Sequence, residues 1–388
     1  MGKRSLNILL ASLLVSAAAT TPANGQTSTL EMSMCKLPGN NSSSAHRFED
    51  SGHVLDWSRF VKPEGNLSAL VIPTDFSDIP SRNKASSELG FLNEASKFFE
   101  TNSQGKFTLT FDTSMDWVRM PKTAAYYKQA FWAEKINDAI DLVDPVVNFS
   151  NYDLVIFYIS KSNFTTTEAG ALPGFPDRSP DGLSQIRGVY LGNDGWRQLG
   201  QDAQVLTHEL LHVFGLPDLY MPNKDGSKNV GIFDQMSEYN KKYGSRLFYW
   251  HKWKLGWTDD SQVKCLNPAV AQRIVISSRN AAHNFWVIPI NDREVHVIQP
   301  WVVGKKIQAI AYEVDTKDFV WNTAGLSGSG ESPIQMLRPT RAGKPPKTFT
   351  NPNVSVVLRN KDRVQTPIGD YRISTIGNQV VVNFSPKR

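Results

Sequence analysis

His208 and His212 stand four residues apart, with Glu209 beside the first. On an α-helix that spacing puts both imidazoles on one face, one turn above the other, where they can reach a single ion. A catalytic zinc takes three protein ligands and leaves one position for water. Two histidines at this spacing with a glutamate after the first form a zinc-hydrolase pattern, with the glutamate as general base. Glu209 is therefore expected to take a proton from a zinc-bound water as it attacks a carbonyl. It would then pass that proton to the leaving amine.

The third ligand must come from farther along. Gly215 is placed to end the helix in a left-handed conformation, and Pro217 keeps it from resuming. The chain must then fold back, and the next side chain able to bind a metal is Asp218. Glu238 is the rival, donated from a later segment; Asp218 is preferred because Glu238 lacks a clear helical setting. The oxyanion of a tetrahedral intermediate needs a donor. Tyr239 is the first candidate, with Tyr220 and Tyr243 behind it. The oxygen-rich turns Asn193-Asp194-Gly195 and Asn223-Lys224-Asp225-Gly226 could hold Ca2+, although such runs serve more often as plain turns.

These residues need a scaffold. Gln201 to Phe214 is apolar around most of its circumference, as expected of a buried helix, and polar groups buried on it must be paired or metal-bound. Strands are expected at Leu67 to Phe76, Lys106 to Asp112, Asp153 to Ser160 and Gly188 to Gly192. Helices are expected at Ser86 to Glu100 and Ala124 to Val143. This alternation predicts a layered sheet-and-helix domain. Residues 161–187 are rich in Gly, Pro, Ser and Asp and read as a long surface loop. Beyond residue 262 the texture changes to short alternating runs. They are Arg273 to Ser277, Asn284 to Ile290, Val295 to Ile298, Lys306 to Val314, Val354 to Leu358, Tyr371 to Ile376 and Val380 to Phe384. They predict an all-β sandwich-like domain.

The chain of 388 residues is long enough for two domains. Its net charge of +5 is spread over scattered lysines and arginines, so no nucleic-acid footprint is seen. Lys3 and Arg4 precede an apolar run, Leu6 to Ala19, too short to span a bilayer. Small residues follow, with Ala17-Ala18-Ala19 or Ala23-Asn24-Gly25 as cleavage sites. The expectation is a signal peptide over 1–25, an N-terminal arm over 26–60, a catalytic domain over 61–261 and a β-rich domain over 262–388. The mature protein would be secreted, with no membrane association after cleavage. Cys35 and Cys265 are the only cysteines. In an exported chain they are expected to form a disulfide, the alternative being Cys35 as a zinc ligand in a latent form. Sequons stand at Asn40, Asn41, Asn66, Asn148, Asn163, Asn353 and Asn383.

The run His208-Glu209-Leu210-Leu211-His212-Val213-Phe214-Gly215-Leu216-Pro217-Asp218 resembles the immune inhibitor A family of secreted bacterial zinc metallopeptidases. Leu70 to Asp78 looks like that family's first core strand, and Phe98 to Phe107 like its next helix and strand. Trp117 to Tyr127, Asp153 to Ser160, Gly231 to Ser237 and Lys254-Leu255-Gly256-Trp257 also match in kind and order. The resemblance covers roughly residues 65–260. It implies an α+β, zincin-like (metzincin-like) catalytic domain with a twisted mixed sheet over the active-site helix. It also implies zinc on His208, His212 and Asp218, with Glu209 catalytic and Met236 in a turn under the metal. The chain departs from the family at Phe233, where a tryptophan is usual, and at Glu238-Tyr239, where a glycine is usual.

Two classes of function stand ahead of a third. One is a secreted zinc endopeptidase, whose protein or peptide substrate would lie along the Gly188 to Gly192 strand. The other is a secreted binding or adhesive protein on the same scaffold without turnover, which the intact Glu209 argues against. A zinc hydrolase acting on a non-peptide bond is also compatible with the motif.

Overall fold

The computed structural model describes residues 28–39, 51–53, 55–130, 132–161, 169–175, 186–192, 197, 200–219, 230–237, 246–278, 284–317, 332–341 and 356–387. The signal-peptide segment 1–25 lies outside them. Among the described residues no helix is long and apolar enough to cross a membrane. Among the described residues the chain mixes helices and strands, with three sheets and few helices, an arrangement compatible with α+β.

In the first half the chain runs through β1 (Gly65–Phe76), α1 (Leu92–Ser103), β2 (Phe107–Asp112), β3 (Val118–Met120), α2 (Ala124–Gln129) and α3 (Trp132–Val143). It continues through β4 (Leu154–Ile159), β5 (Ala169–Phe175), β6 (Ile186–Leu191) and α4 (Asp202–Val213). The sheet order is β2-β1-β4-β6-β5, with β3 paired to the end of β1. All neighbours are parallel except β5, which runs antiparallel to β6.

Successive side chains of a strand point to opposite faces, and here each face meets its own core. Ala69, Val71, Leu154, Ile156, Val189 and Leu191 join the cluster that includes α1 and α4. Leu70, Ile72, Val155, Phe157, Ile159 and Tyr190 join the cluster that includes α3. A strand covered on both faces has to be apolar throughout, which is why β4 reads Leu-Val-Ile-Phe-Tyr-Ile and is buried at every position.

Three expectations need correction. The helix expected from Ser86 begins at Leu92, preceded by a separate 3-10 turn over Ala85–Ser87. Gly90, with its low helix propensity, lies between them. The single helix expected over Ala124 to Val143 is two, because Ala130 is extended at φ −71° and ψ 145°. No Gly or Pro marks that break. It lets the Tyr127 hydroxyl donate to Asp138 at 2.5 Å, while Lys122 bonds both Glu134 and Asp138. Finally, the stretch expected to be loop, 161–187, contains β5, a strand formed by pairing to β6.

After α4 come α5 (Tyr249–Lys254), β7 (Val263–Cys265), β8 (Gln272–Ile276), β9 (Phe285–Pro289), β10 (Glu294–Val303) and β11 (Lys306–Asp315). The chain closes with β12 (Ile334–Met336), β13 (Arg363–Gln365), β14 (Gly369–Ile376) and β15 (Gln379–Pro386). They form a five-stranded sheet, β12-β11-β10-β9-β7, and a four-stranded sheet, β13-β14-β15-β8. Ile288, Ile298 and Ala309 of the first meet Ile274, Ile373 and Val382 of the second in one cluster. Of the run expected at Val354 to Leu358, only a bridge from Leu358 to Ala309 forms among the described residues.

The opposite face of the five-stranded sheet joins the core beneath the first sheet. Val287, Val297, Ile310 and Tyr312 share a cluster with Phe248 and Trp250 and with Leu210 and Leu211 of α4. Cys35 and Cys265 form the expected disulfide, which ties the N-terminal arm to β7. The arm then crosses the molecule: Ser51 O accepts from the Trp250 indole and Pro63 O from the Trp257 indole, each at 2.9 Å.

Candidate metal centre

The helix carrying the two histidines is held at both ends. At its start, Arg197 is wholly buried and bonds Asp202 Oδ1 at 3.0 Å. Its remaining donors reach the carbonyls of Ile159, Leu191 and Gly192. A guanidinium presents its donors in a fixed fork, so it locks the ends of β4 and β6 to the first turn of α4. Lys161 adds a second cation to Asp202 at 2.8 Å.

At the other end, the amides of Gly215 and Leu216 bond the carbonyls of His212 and Leu211. Gly215 lies at φ +93°, and a Cβ there would stand 2.8 Å from Leu55 Cδ2 and 3.2 Å from Phe60 Cγ. A side chain is excluded twice over, by backbone conformation and by the arm that packs on the turn. The turn sends the chain back under α4, and the Leu219 amide fixes it to the Met236 carbonyl at 2.8 Å.

Asp218 is thereby brought to the two histidines. Its Oδ1 lies 3.0 Å from His208 Nε2 and 3.3 Å from His212 Nε2. The two Nε2 atoms are 3.2 Å apart. Ligands at about 2.0–2.1 Å from a tetrahedral zinc lie about 3.3 Å from one another. The three separations match that triangle, and all three residues are buried.

The other ring nitrogens decide what this triangle can hold. His208 Nδ1 faces the Gln235 carbonyl at 3.1 Å and His212 Nδ1 faces the Leu216 carbonyl at 2.7 Å. A carbonyl only accepts, so each neutral ring carries its proton on Nδ1 and turns an Nε2 lone pair toward Asp218. Two lone pairs and a carboxylate then converge on one point. Among the described residues, Asp218 Oδ1 has no hydrogen-bond donor in that state. Such an arrangement is costly unless a cation sits at its centre, and the donor set of two imidazoles and one carboxylate suits zinc. Without an ion, an extra proton would have to fill the role. Burial opposes charge on His208, yet the Asp218 carboxylate raises its pKa, the direction of a proton shared between the two. Burial likewise opposes charge on Asp218, but the two histidines hold its pKa well below the usual carboxylate range.

Glu209 is the one half-buried residue between Val205 and Asp218. It is close enough to His208 to favour the charged form of that ring. Met236 is fully buried, in a turn over 235–237 whose Gln235 carbonyl holds His208. Glu238, Tyr239, Tyr220, Tyr243 and both oxygen-rich turns lie outside the described residues.

The expected substrate strand requires correction. β6 pairs with β4 on one side and β5 on the other, so its backbone is taken. Among the described residues the outer strand is β5, with α4 packed against β5 and β6.

Four residues at or behind the site were given no role of their own in the sequence reading: Arg197, Asp234, Gln235 and His251. Gln235 holds His208 through its backbone carbonyl, which leaves no trace in residue type. His251 alone had a usable signal, a histidine set among Trp250, Trp253 and Trp257.

No protein-family model, no curated protein and no solved structure matches this chain.

Proposed function

We propose that the protein is a secreted zinc endopeptidase, built as a zincin-like catalytic unit followed by a β-sandwich unit. The observation that carries the proposal is the triangle of His208 Nε2, His212 Nε2 and Asp218 Oδ1, with both imidazoles aimed by backbone carbonyls. Zinc bound there would polarise a scissile carbonyl and lower the pKa of a neighbouring water toward 7.

This chain's residues account for the rest. Glu209 is placed one residue after His208 on the open side of the helix, where a carboxylate can take a proton from an attacking water and return it to a leaving amine. The outer edge of β5 can add an extended peptide as a further strand, so that backbone pairing orients the substrate beside Glu209. The sandwich reading is supported by the cluster shared between the two C-terminal sheets. The signal-peptide pattern and the disulfide both fit an exported protein.

Casein digestion by the purified protein, with and without a chelator, tests the proposal. Chelator-sensitive cleavage with one zinc per chain is expected. Glu209→Gln should retain zinc and lose turnover by roughly 100-fold or more, and Asp218→Ala should lose zinc. A zinc-loaded protein that cleaves nothing would favour a binding protein on the same scaffold. Full zinc retention in Asp218→Ala would move the third ligand to Glu238.

A further inference from the structure

Asp234 and His251 are both wholly buried, and neither belongs to the metal triangle. They are paired, His251 Nδ1 to Asp234 Oδ2 at 2.8 Å. The same carboxylate accepts two backbone amides, Met236 N on Oδ1 at 2.8 Å and Phe248 N on Oδ2 at 2.7 Å. One side chain thus gathers three donors from two segments of chain. It closes the turn over 235–237 on one side and begins α5 on the other.

That turn leads directly to the candidate ligands. The carbonyl between Asp234 and Met236 is that of Gln235, the acceptor of His208 Nδ1. The Met236 carbonyl accepts from Leu219, next to Asp218. The Gln235 side chain returns to α4, donating to Gln204 O at 2.7 Å and Thr207 Oγ1 at 3.1 Å. The turn therefore touches two of the three ligand residues or their neighbours, and Asp234 holds the turn.

The other side is equally anchored. The opening amides of α5 are capped from outside the helix: Phe248 by Asp234, Tyr249 by Gln299 Oε1 and Trp250 by the Tyr312 hydroxyl. Gln299 is on β10 and Tyr312 on β11, and the two bond one another at 2.8 Å. The five-stranded sheet is thus linked to the candidate centre through α5, Asp234 and the Gln235 carbonyl.

We infer that the Asp234–His251 pair is a positioning device for the His208 ligand, through which the C-terminal sheet sets the affinity of the metal site. The inference rests on the metal reading of the triangle. Groups that orient a ligand's second ring nitrogen typically change metal affinity by about 10–100-fold when removed. Here the orienting group is a carbonyl, and Asp234 is what fixes the carbonyl.

The test is zinc affinity of Asp234→Asn, measured by competition with a chromophoric chelator on full-length protein shown by near-ultraviolet circular dichroism to be folded without metal. An amide keeps one acceptor oxygen, so its NH2 must face either the Met236 amide on one side or the Phe248 amide and His251 on the other. Affinity should fall by about 10–100-fold, and the visible absorption of the Co2+-loaded protein should shift. His251→Leu should lose affinity in the same direction. His251→Asn, whose side-chain N–H can stand in for Nδ1, should recover most of it. That pair decides the matter if Asp234→Asn does not fold. Wild-type affinity and an unshifted Co2+ spectrum in the folded variants would overturn the inference and leave the metal reading intact. Failure of the wild-type protein to bind Zn2+ or Co2+ would overturn both.

Discussion

The turn after α4 offers a demanding test, because Gly215→Ala adds one methyl group where two separate costs apply. The backbone stands at φ +93°, and a side chain in left-handed conformation costs about 1–2 kcal/mol. The new Cβ would also lie 2.8 Å from Leu55 Cδ2 and 3.2–3.3 Å from the Phe60 ring. Leu55 can move at its tip, whereas a buried ring yields less, and inserting a methyl into packed surroundings costs roughly 1–3 kcal/mol. The sum is about 2–5 kcal/mol. The damage should be felt at the metal too, since the turn supplies the Leu216 carbonyl that holds His212 Nδ1. Urea unfolding followed by tryptophan fluorescence and by far-ultraviolet circular dichroism gives the stability, provided the two probes coincide. A second variant, Leu55→Ala with Gly215→Ala, separates the costs. It should relieve part of the steric cost and none of the backbone cost. A loss below about 0.5 kcal/mol in Gly215→Ala, within the range of neutral surface changes, would refute the argument that the N-terminal arm and the turn enclose this position.

Other expectations can be checked in the same way. Replacing Cys35 and Cys265 together by serine should destabilise the protein by about 2–5 kcal/mol, read as a lower urea midpoint. An unchanged midpoint would mean the arm is held by its hydrogen bonds and packing without the disulfide. Arg197→Met leaves Asp202 with Lys161 as its cation among the described residues and takes the Arg197 donors from three carbonyls, so a loss of roughly 3–5 kcal/mol is expected; a stable variant would show the network to be dispensable. Burial, with Arg246 nearby, holds the Lys252 ammonium down at about 8. An unfolded lysine titrates near 10.4, so between these values the unfolded chain binds more protons and stability rises with pH. Lys252→Met should flatten that rise, and an identical pH profile in the variant would exclude Lys252 as its source.

The motif helix was legible because it is apolar on nearly every side, which leaves its histidines and glutamate conspicuous. β1 and β4 were legible for the same reason, as strands covered on both faces. β5 was not, because Ala-Gly-Ala-Leu-Pro-Gly-Phe has the composition of a loop and becomes a strand only against β6. The three-residue strands β3, β7, β12 and β13 are too short to show a period. Asp218 could be proposed from its place after Gly215 and Pro217, since the turn itself dictates the return of the chain. Asp234 and His251 are 17 residues apart, and two of the three groups that Asp234 accepts are backbone amides. No spacing rule in one dimension finds a carboxylate whose partners are defined by where two loops meet.

The crossing of the N-terminal arm has a consequence for how the chain reaches this structure. Its fixed points pair Ser51 with Trp250, Pro63 with Trp257 and Cys35 with Cys265, separations of 199, 194 and 230 residues. Contacts so distant in sequence cannot form on a ribosome until the later partner has emerged, and long-range pairing slows folding. The first sheet can assemble early, but the arm that closes over Gly215 must wait for α5 and β7. The candidate centre is therefore among the last parts of the molecule to be completed. A chain interrupted before residue 265 would carry all three ligand residues and Glu209 without the clasp that holds them in register.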